Sequence, residues 1–508
     1  MSTIINKYKH YIYLSLFLWV IMLIISPDSY LHRLFIRDDS AIFFTSGKAL
    51  MNGMTPYVDF ADSKGPLLWL IYGIGYLLSH YDYTGVFWLS WLSYSITFIF
   101  IFKTSQLFLK DKQLAFISSV SMIMFIFFSW FHHEIKSEDW CQPFITATIY
   151  YACRMLYYEN TKKSDIRNAF FVFGISFTAC LLIKFSIAAM LSSVFIYLIY
   201  YQLKKQVNIM FSILWSISGA LIMALPFVFY LIYIGAFNAF IDEYFINTLI
   251  TINNSRNQTS YLHELLINIE YADRLFFFLA SLIGCCGIWF INRRIGLFLP
   301  LVVCMFWALS TRHAGPHYFN ACTSLFVFFT ICIVFTFKDF LLKYVYVFTL
   351  SLLFATFSFT VITNSFKLGY LYNTFIFTKS PYQQDMEQVY AITSKIHKPK
   401  IIFFQSIDRG DGIKAEALPG STYWTSQLGA SKAMVQKQID DIKAHKADFI
   451  VTETRDSLSL EQRINILKSF GYKVAYKFKS DESWTFKRAL LIVDTRPVYG
   501  NITENKHK

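Results

Sequence analysis

Four stretches of this chain carry side chains whose types and spacing could do chemistry. The first opens Arg37-Asp38-Asp39-Ser40, runs through a helical pattern to about Met51, and continues Gly-Met-Thr-Pro-Tyr57-Val-Asp59-Phe-Ala-Asp62-Ser-Lys64-Gly-Pro66. Adjacent carboxylates can take a proton from a hydroxyl or hold a divalent cation. Lys64, 26 residues after Asp38, offers an ammonium that can hold a phosphate as a point charge. Taken alone, the acid pair also reads as loop residues, with Asp39 capping the helix that follows. The second stretch, His132-His133-Glu134-Ile-Lys-Ser-Glu138-Asp139-Trp140, sets two more acids where a helix begins. They can act on a substrate or simply favour the helix N-terminus. The adjacent histidines diverge on most backbones and read as interfacial residues. The third is Lys184, a lone charge inside an apolar run, where a charge is costly and marks a function unless the side chain snorkels to the interface. The fourth, Thr311-Arg312-His313-Ala-Gly-Pro-His317-Tyr318-Phe319, offers a guanidinium suited to bidentate phosphate contact, or an interface residue beside an aromatic belt.

What must position these groups is a membrane. Hydrophobic residues make up 55% of the chain and charged residues 16%, against about 25% charge in a soluble domain. Residues 379–508 hold 36 of the 79 charged side chains, so a boundary falls near Lys379. A multi-span domain, 1–378, precedes a soluble one, 379–508. Apolar segments long enough to span lie near 9–27, 84–102, 114–131, 140–158, 208–234, 273–292, 296–310, 318–336 and 344–362. Residues 168–202, interrupted at Lys184, are too long for one crossing and read as a hairpin of two helices. Segment 66–79 is short. If it lies along the membrane rather than spanning, every short basic loop falls on one side. Those loops carry 14 Lys and Arg against 4 Asp and Glu, the pattern of cytoplasmic segments. The fold class is therefore a polytopic α-helical membrane protein. It has about eleven transmembrane helices, an external juxtamembrane helix at 66–79, and a C-terminal small α/β soluble domain. The loop 28–66 and that domain face away from the cytoplasm. In the soluble part, strand patterns at Lys400–Gln405, Asp448–Glu453, Lys473–Phe478 and Ala489–Asp494 alternate with helical ones at Ser431–His445 and Leu460–Phe470.

The order of acid pair, amphipathic helix, G-x-x-P-Y-x-D-x-x-D-x-K-G-P (Gly53 to Pro66) and short helix resembles the first external loop of the glycosyltransferase C superfamily. The likeness is to the bacterial branch related to protein O-mannosyltransferases and aminoarabinose transferases. The resemblance implies a transferase acting on a polyprenyl-phosphate-linked sugar. Asp38 would be the catalytic carboxylate with Asp39 in support, and Glu138 with Asp139 would match the family's second acidic motif. Lys64, Lys184 and Arg312 would hold the donor phosphate. Tyr57, Asp59, Asp62, His317 and Tyr318 would shape the donor or acceptor groove. By its own composition, loop 235–272, which mixes aromatics with Asp242, Glu243 and Arg256, reads either as part of a lipid or acceptor groove or as an ordinary amphipathic surface helix. The implied partners are the lipid donor, membrane lipid, and a glycan, lipid or protein acceptor. No cofactor is required, although the acids could take a divalent cation. The implied location is a bacterial inner membrane.

Several classes are excluded or disfavoured. The net charge of +13 comes from span-flanking residues rather than a basic stripe, which argues against nucleic acid. All eight cysteines lie in apolar stretches and imply no disulfide framework. No nucleotide-phosphate loop is present. A transporter or flippase of lipid-linked saccharide would set ionisable groups along a path within the spans, whereas most acids here sit in loops. A polysaccharide polymerase or ligase would have no use for the Asp38–Lys64 loop.

Overall fold

The computed structural model describes residues 2–26, 28–31, 39–128, 135–206, 208–250, 272–310, 320–344, 381–425, 431–454, 457–479 and 487–494. The helices in order are α1 (Ser2–Ile25), α2 (Asp39–Met51), α3 (Pro66–Leu78), α4 (Thr84–Leu109), α5 (Lys112–Phe128), α6 (Ser137–Tyr157), α7 (Lys163–Ile183), α8 (Phe185–Lys204) and α9 (Ile209–Tyr233). A short helix α10 (Phe237–Phe240) runs into a π-helix, Ile241–Asn247, and α11 (Ala272–Ile291) and α12 (Arg293–Ser310) follow. The next apolar segment is broken into Asn320–Thr323, a 3₁₀ turn at Ser324–Phe326, and Val327–Thr336.

Helices stand at eight of the nine expected spans and at both arms of the expected hairpin. The span expected at 344–362 lies outside the described residues. Among the described residues, α4, α7, α8 and α9 are long and apolar enough to cross a membrane. The arms α7 and α8 fold back on each other, with the Phe173 and Phe195 rings 4.9 Å apart, each eleven residues from Lys184. Close packing of α7 on α9 depends on two glycines. A Cβ on Gly174 would fall 2.0 Å from Ser216 O, and one on Gly219 would fall 2.2 Å from Phe171 O. Small residues of this kind let helix backbones touch in a membrane, where apolar burial against lipid gives little drive.

Helix α3 has 13 residues, about 20 Å at 1.5 Å per residue, short of a hydrocarbon core of about 30 Å. Gly65 precedes it and Pro66 occupies its first turn, where the missing N–H costs nothing. One face (Leu68, Trp69, Tyr72, Tyr76) is buried and packs on α2, while Ile74, Leu77 and Leu78 are exposed.

The C-terminal residues form a five-stranded sheet, in the order β2 (Leu418–Pro419), β1 (Lys400–Phe404), β3 (Phe449–Thr454), β5 (Lys487–Val493), β4 (Tyr472–Lys477). The β2–β1–β3 pairs are parallel and the β3–β5–β4 pairs antiparallel. Four strands and the helices Lys432–Lys443 and Ser457–Ser469 lie where the periodicity puts them. Strand β2 and helix Pro381–Thr393 were not foreseen. The first is two residues long, and the second carries no clean apolar stripe.

Candidate active site

The site is organised around the turn between α7 and α8. Lys184 alone joins the two helices, in an extended conformation (φ −154°, ψ 105°). Its ammonium forms an ion pair with Glu138 in the first turn of α6. Glu138 is fully buried and also accepts from Ser137 Oγ at 3.0 Å. Burying two charges is costly unless they meet, and here they meet at a break in the membrane bundle.

Asp139 turns away from this pair. It accepts from Tyr94 OH at 2.7 Å, from Lys136 N at 2.8 Å and from Asn320 Nδ2 at 3.3 Å. It is thereby the N3 residue of α6, returning to the backbone N–H before the helix as in a capping box, and it ties α4 and Asn320 to α6. Of the second acidic motif, Glu138 faces Lys184 and Asp139 is held in structural bonds.

The Lys64 loop lies on the same turn. Gly65 N donates to Ile183 O at 3.1 Å, and a Cβ at Gly65 would fall 2.0 Å from Leu182 O. Only glycine allows that approach, so the backbone beside Lys64 is fixed against the backbone beside Lys184. The Lys64 ammonium lies over the Phe43 ring, 5.6 Å from its centroid, and donates to Ser63 Oγ at 3.1 Å. Tyr57, buried and at φ 66°, donates from its hydroxyl to Lys64 O at 3.1 Å. Asp62 accepts from Ser63 N at 2.6 Å and Asp59 from Thr55 N at 2.7 Å. Both carboxylates therefore shape the turns of the loop.

The third component is the start of α2. Asp39 is its first residue, with an oxygen 3.5 Å from Lys136 Nζ. Ser40 Oγ and Tyr72 OH both donate to Ile135 O, at 2.8 and 2.9 Å. The lead-in to Glu138 is thus stitched to α2 and α3. Asp38 lies outside the described residues, as do Arg312, His317, Tyr318, His132, His133 and Glu134. Asn320, which bonds Asp139, is the first described residue after Tyr318.

The sequence pattern gave no signal for the role of the C-terminal residues 408–423. Thr45 Oγ1 donates to Asp408 at 2.7 Å, and Lys48 Nζ to Gly412 O at 3.0 Å. Tyr76 OH donates to Glu416 at 3.0 Å, and Thr422 exchanges hydrogen bonds with Val58 O and Ala61 N. Tyr423 OH reaches Glu243 at 2.8 Å. Lys48 is fully buried, and desolvation lowers its pKa to about 8 despite the Asp408 and Glu416 charges. Burial and the Asp411 charge raise Asp408 to about 6. Arg488 pairs with Asp411, and Arg409 with Glu453. Among the described residues no three His, Cys, Asp or Glu side chains converge as metal ligands.

A helical bundle that buries an acid–lysine pair at a helix break, with α2, α3 and a trailing α/β sheet packed beside it, defines a class of fold. That fold is similar to solved glycosyltransferase C structures. It matches ArnT from Cupriavidus metallidurans in the apo state with a TM-score of 0.60 at 10% identity, covering 95% of this chain and 96% of that one. ArnT bound to undecaprenyl phosphate matches with a TM-score of 0.56 at 10% identity, over 96% and 98% of the two chains. Residues 63–230 match the family model of dolichyl-phosphate-mannose-protein mannosyltransferase, about a third of the chain, beginning at the Lys64 loop. No curated protein matches the chain in sequence.

Proposed function

We propose that the protein is a membrane glycosyltransferase that moves a sugar from a polyprenyl-phosphate donor to an acceptor hydroxyl on the non-cytoplasmic face, with inversion at the sugar. The observation that carries this reading is the buried Glu138–Lys184 pair at the α7–α8 turn, overlaid by the loop that bears Lys64. Two lysines whose neighbouring backbones meet at one break in an apolar bundle suit a lipid phosphate whose chain lies in the bilayer. Undecaprenyl phosphate, bound in the ArnT structure, is a ligand of that kind. Lys64 and Lys184, with Arg312, hold the phosphate and stabilise the charge that grows on it as the sugar leaves. Glu138 keeps the Lys184 ammonium in place before the donor arrives, and Asp139 holds the start of α6.

Asp38, directly before α2, takes the proton of the acceptor hydroxyl as that oxygen attacks the anomeric carbon, and Asp39 orients it. One displacement, one inversion. Tyr57, Asp59 and Asp62 shape the loop that borders the groove, with His317 and Tyr318 opposite. Residues 1–378 form the eleven-span catalytic domain, and 379–508 form an external domain seated on it.

The test is sugar transfer by purified protein from synthetic polyprenyl-phosphate donors. General-base catalysis contributes about 10²–10⁴-fold, so Asp38→Asn should lose that much in kcat with folding intact. Wild-type rates from Asp38→Asn would remove Asp38 from the mechanism. A wild-type protein that consumes no such donor yet moves lipid-linked sugar across vesicles would make it a flippase.

A further inference from the structure

A chain that reverses at one residue leaves backbone groups without helical partners, and at Lys184 most of them are visible. Lys184 N reaches Cys180 O at 2.7 Å, as in a continuing helix. Ile183 O is taken by Gly65 N. Leu181 O and Phe185 N would bond each other if α7 ran on into α8. Instead the Tyr244 hydroxyl stands between them, donating to Leu181 O at 2.6 Å and accepting from Phe185 N at 3.1 Å. A side chain inserted into the i→i−4 ladder is one of the established causes of a helix break.

We infer that Tyr244 is the positioning residue for Lys184, its single hydroxyl holding open the hairpin turn that presents the ammonium. This rests on the reading of Lys184 as a donor-phosphate ligand. Tyr244 is fully buried. Its ring is wedged against Phe240, Phe245, Phe185 and Tyr57, with centroids 4.8–6.4 Å away. It lies in the π-helix Ile241–Asn247, a rare conformation that concentrates at functional positions. The neighbouring Glu243 is held by Tyr423 of the C-terminal region. The staple is therefore anchored from outside the hairpin.

Full-length Tyr244→Phe in lipid nanodiscs tests this in two ways. Hydrogen exchange of peptides spanning 180–187 should speed up at Phe185, because its N–H loses its partner. The affinity for undecaprenyl phosphate, the probe, should fall about tenfold, since a lost hydrogen bond of about 1.4 kcal/mol is a factor of ten. A rescue variant separates positioning from general damage. Proline at 185 has no N–H to satisfy, favours the first position of a helix, and asks the preceding residue to be extended, as Lys184 already is. Tyr244→Phe combined with Phe185→Pro should regain part of the lost affinity. Unchanged exchange in folded Tyr244→Phe protein would overturn the staple whatever the protein does. Faster exchange with undiminished binding would overturn the positioning role. If wild-type protein binds no undecaprenyl phosphate, the donor reading fails, and the exchange data still decide the staple.

Discussion

Replacing the two members of the Glu138–Lys184 pair, singly and together, should separate their structural role from their chemical one. The Glu138 side chain is 1% exposed and that of Lys184 12%. Removing one partner of a buried pair typically costs about 3–5 kcal/mol, because the other charge is left without compensation, whereas replacing both with near-isosteres is often close to neutral. The partial exposure of Lys184 puts Lys184→Met at the lower end, about 3 kcal/mol. Glu138→Gln should cost somewhat less, because an unpaired ammonium with a flexible stem can reach the interface. The double variant should lie within about 1 kcal/mol of wild type, giving a coupling of about 4–5 kcal/mol. The shift per kcal/mol shrinks with chain size, to roughly 1–2 °C here, so Lys184→Met should melt about 3–6 °C lower and the double variant near wild type. Thermal unfolding in nanodiscs measures this. Undecaprenyl phosphate binding, measured alongside, should stay lost in the double variant, since its stability returns and its ammonium does not. Additive stability losses would refute the pairing, and a double variant that binds the lipid normally would refute the phosphate role.

Three further outcomes are expected. Gly65→Ala drives a methyl into Leu182 O and should weaken undecaprenyl phosphate binding more than tenfold, by disturbing both lysines. Gly53→Ala, at φ +79° with open space around its Cβ, should cost only about 1 kcal/mol of stability and leave binding unchanged. The buried Lys48 and Asp408 should give stability a minimum near pH 6–8. With its pKa raised to about 6, Asp408 binds more protons folded than unfolded between about 4 and 6, so stability falls as pH rises there. With its pKa lowered to about 8, Lys48 binds fewer protons folded than unfolded between about 8 and 10.5, so stability rises with pH there. Lys48→Met should abolish the upper limb of a melting-temperature profile. In a cysteine-free background, single cysteines at Val58 and Lys432 should label with an impermeant thiol reagent added to intact cells, and one at Ser164 should not. The reverse pattern would invert the topology.

Composition and spacing determined a good deal of this protein alone. The apolar runs located the described helices, because lipid requires about twenty apolar residues of any crossing, and Pro66–Leu78 stands out among them by its shortness. Lys184 marked a break because an unpaired charge inside an apolar run is costly. Short apolar, β-branched and aromatic runs located four strands of the C-terminal sheet. Partnership was decided only by the tertiary structure. Glu138 and Asp139 are neighbours of the same type, and nothing local says that one meets Lys184 while the other closes the start of α6. That division follows from α6 packing between α4 and the α7–α8 hairpin. Tyr244 is one of 33 tyrosines, and its hydroxyl matters because folding brings a π-helical turn 60 residues away onto Leu181 and Phe185. Lys48 reads as a surface lysine on an amphipathic helix until residues 408–423 cover it. Sequence periodicity reports which face of an element is apolar. Which buried polar group meets which depends on contacts between residues far apart in the chain, and only the folded arrangement supplies those.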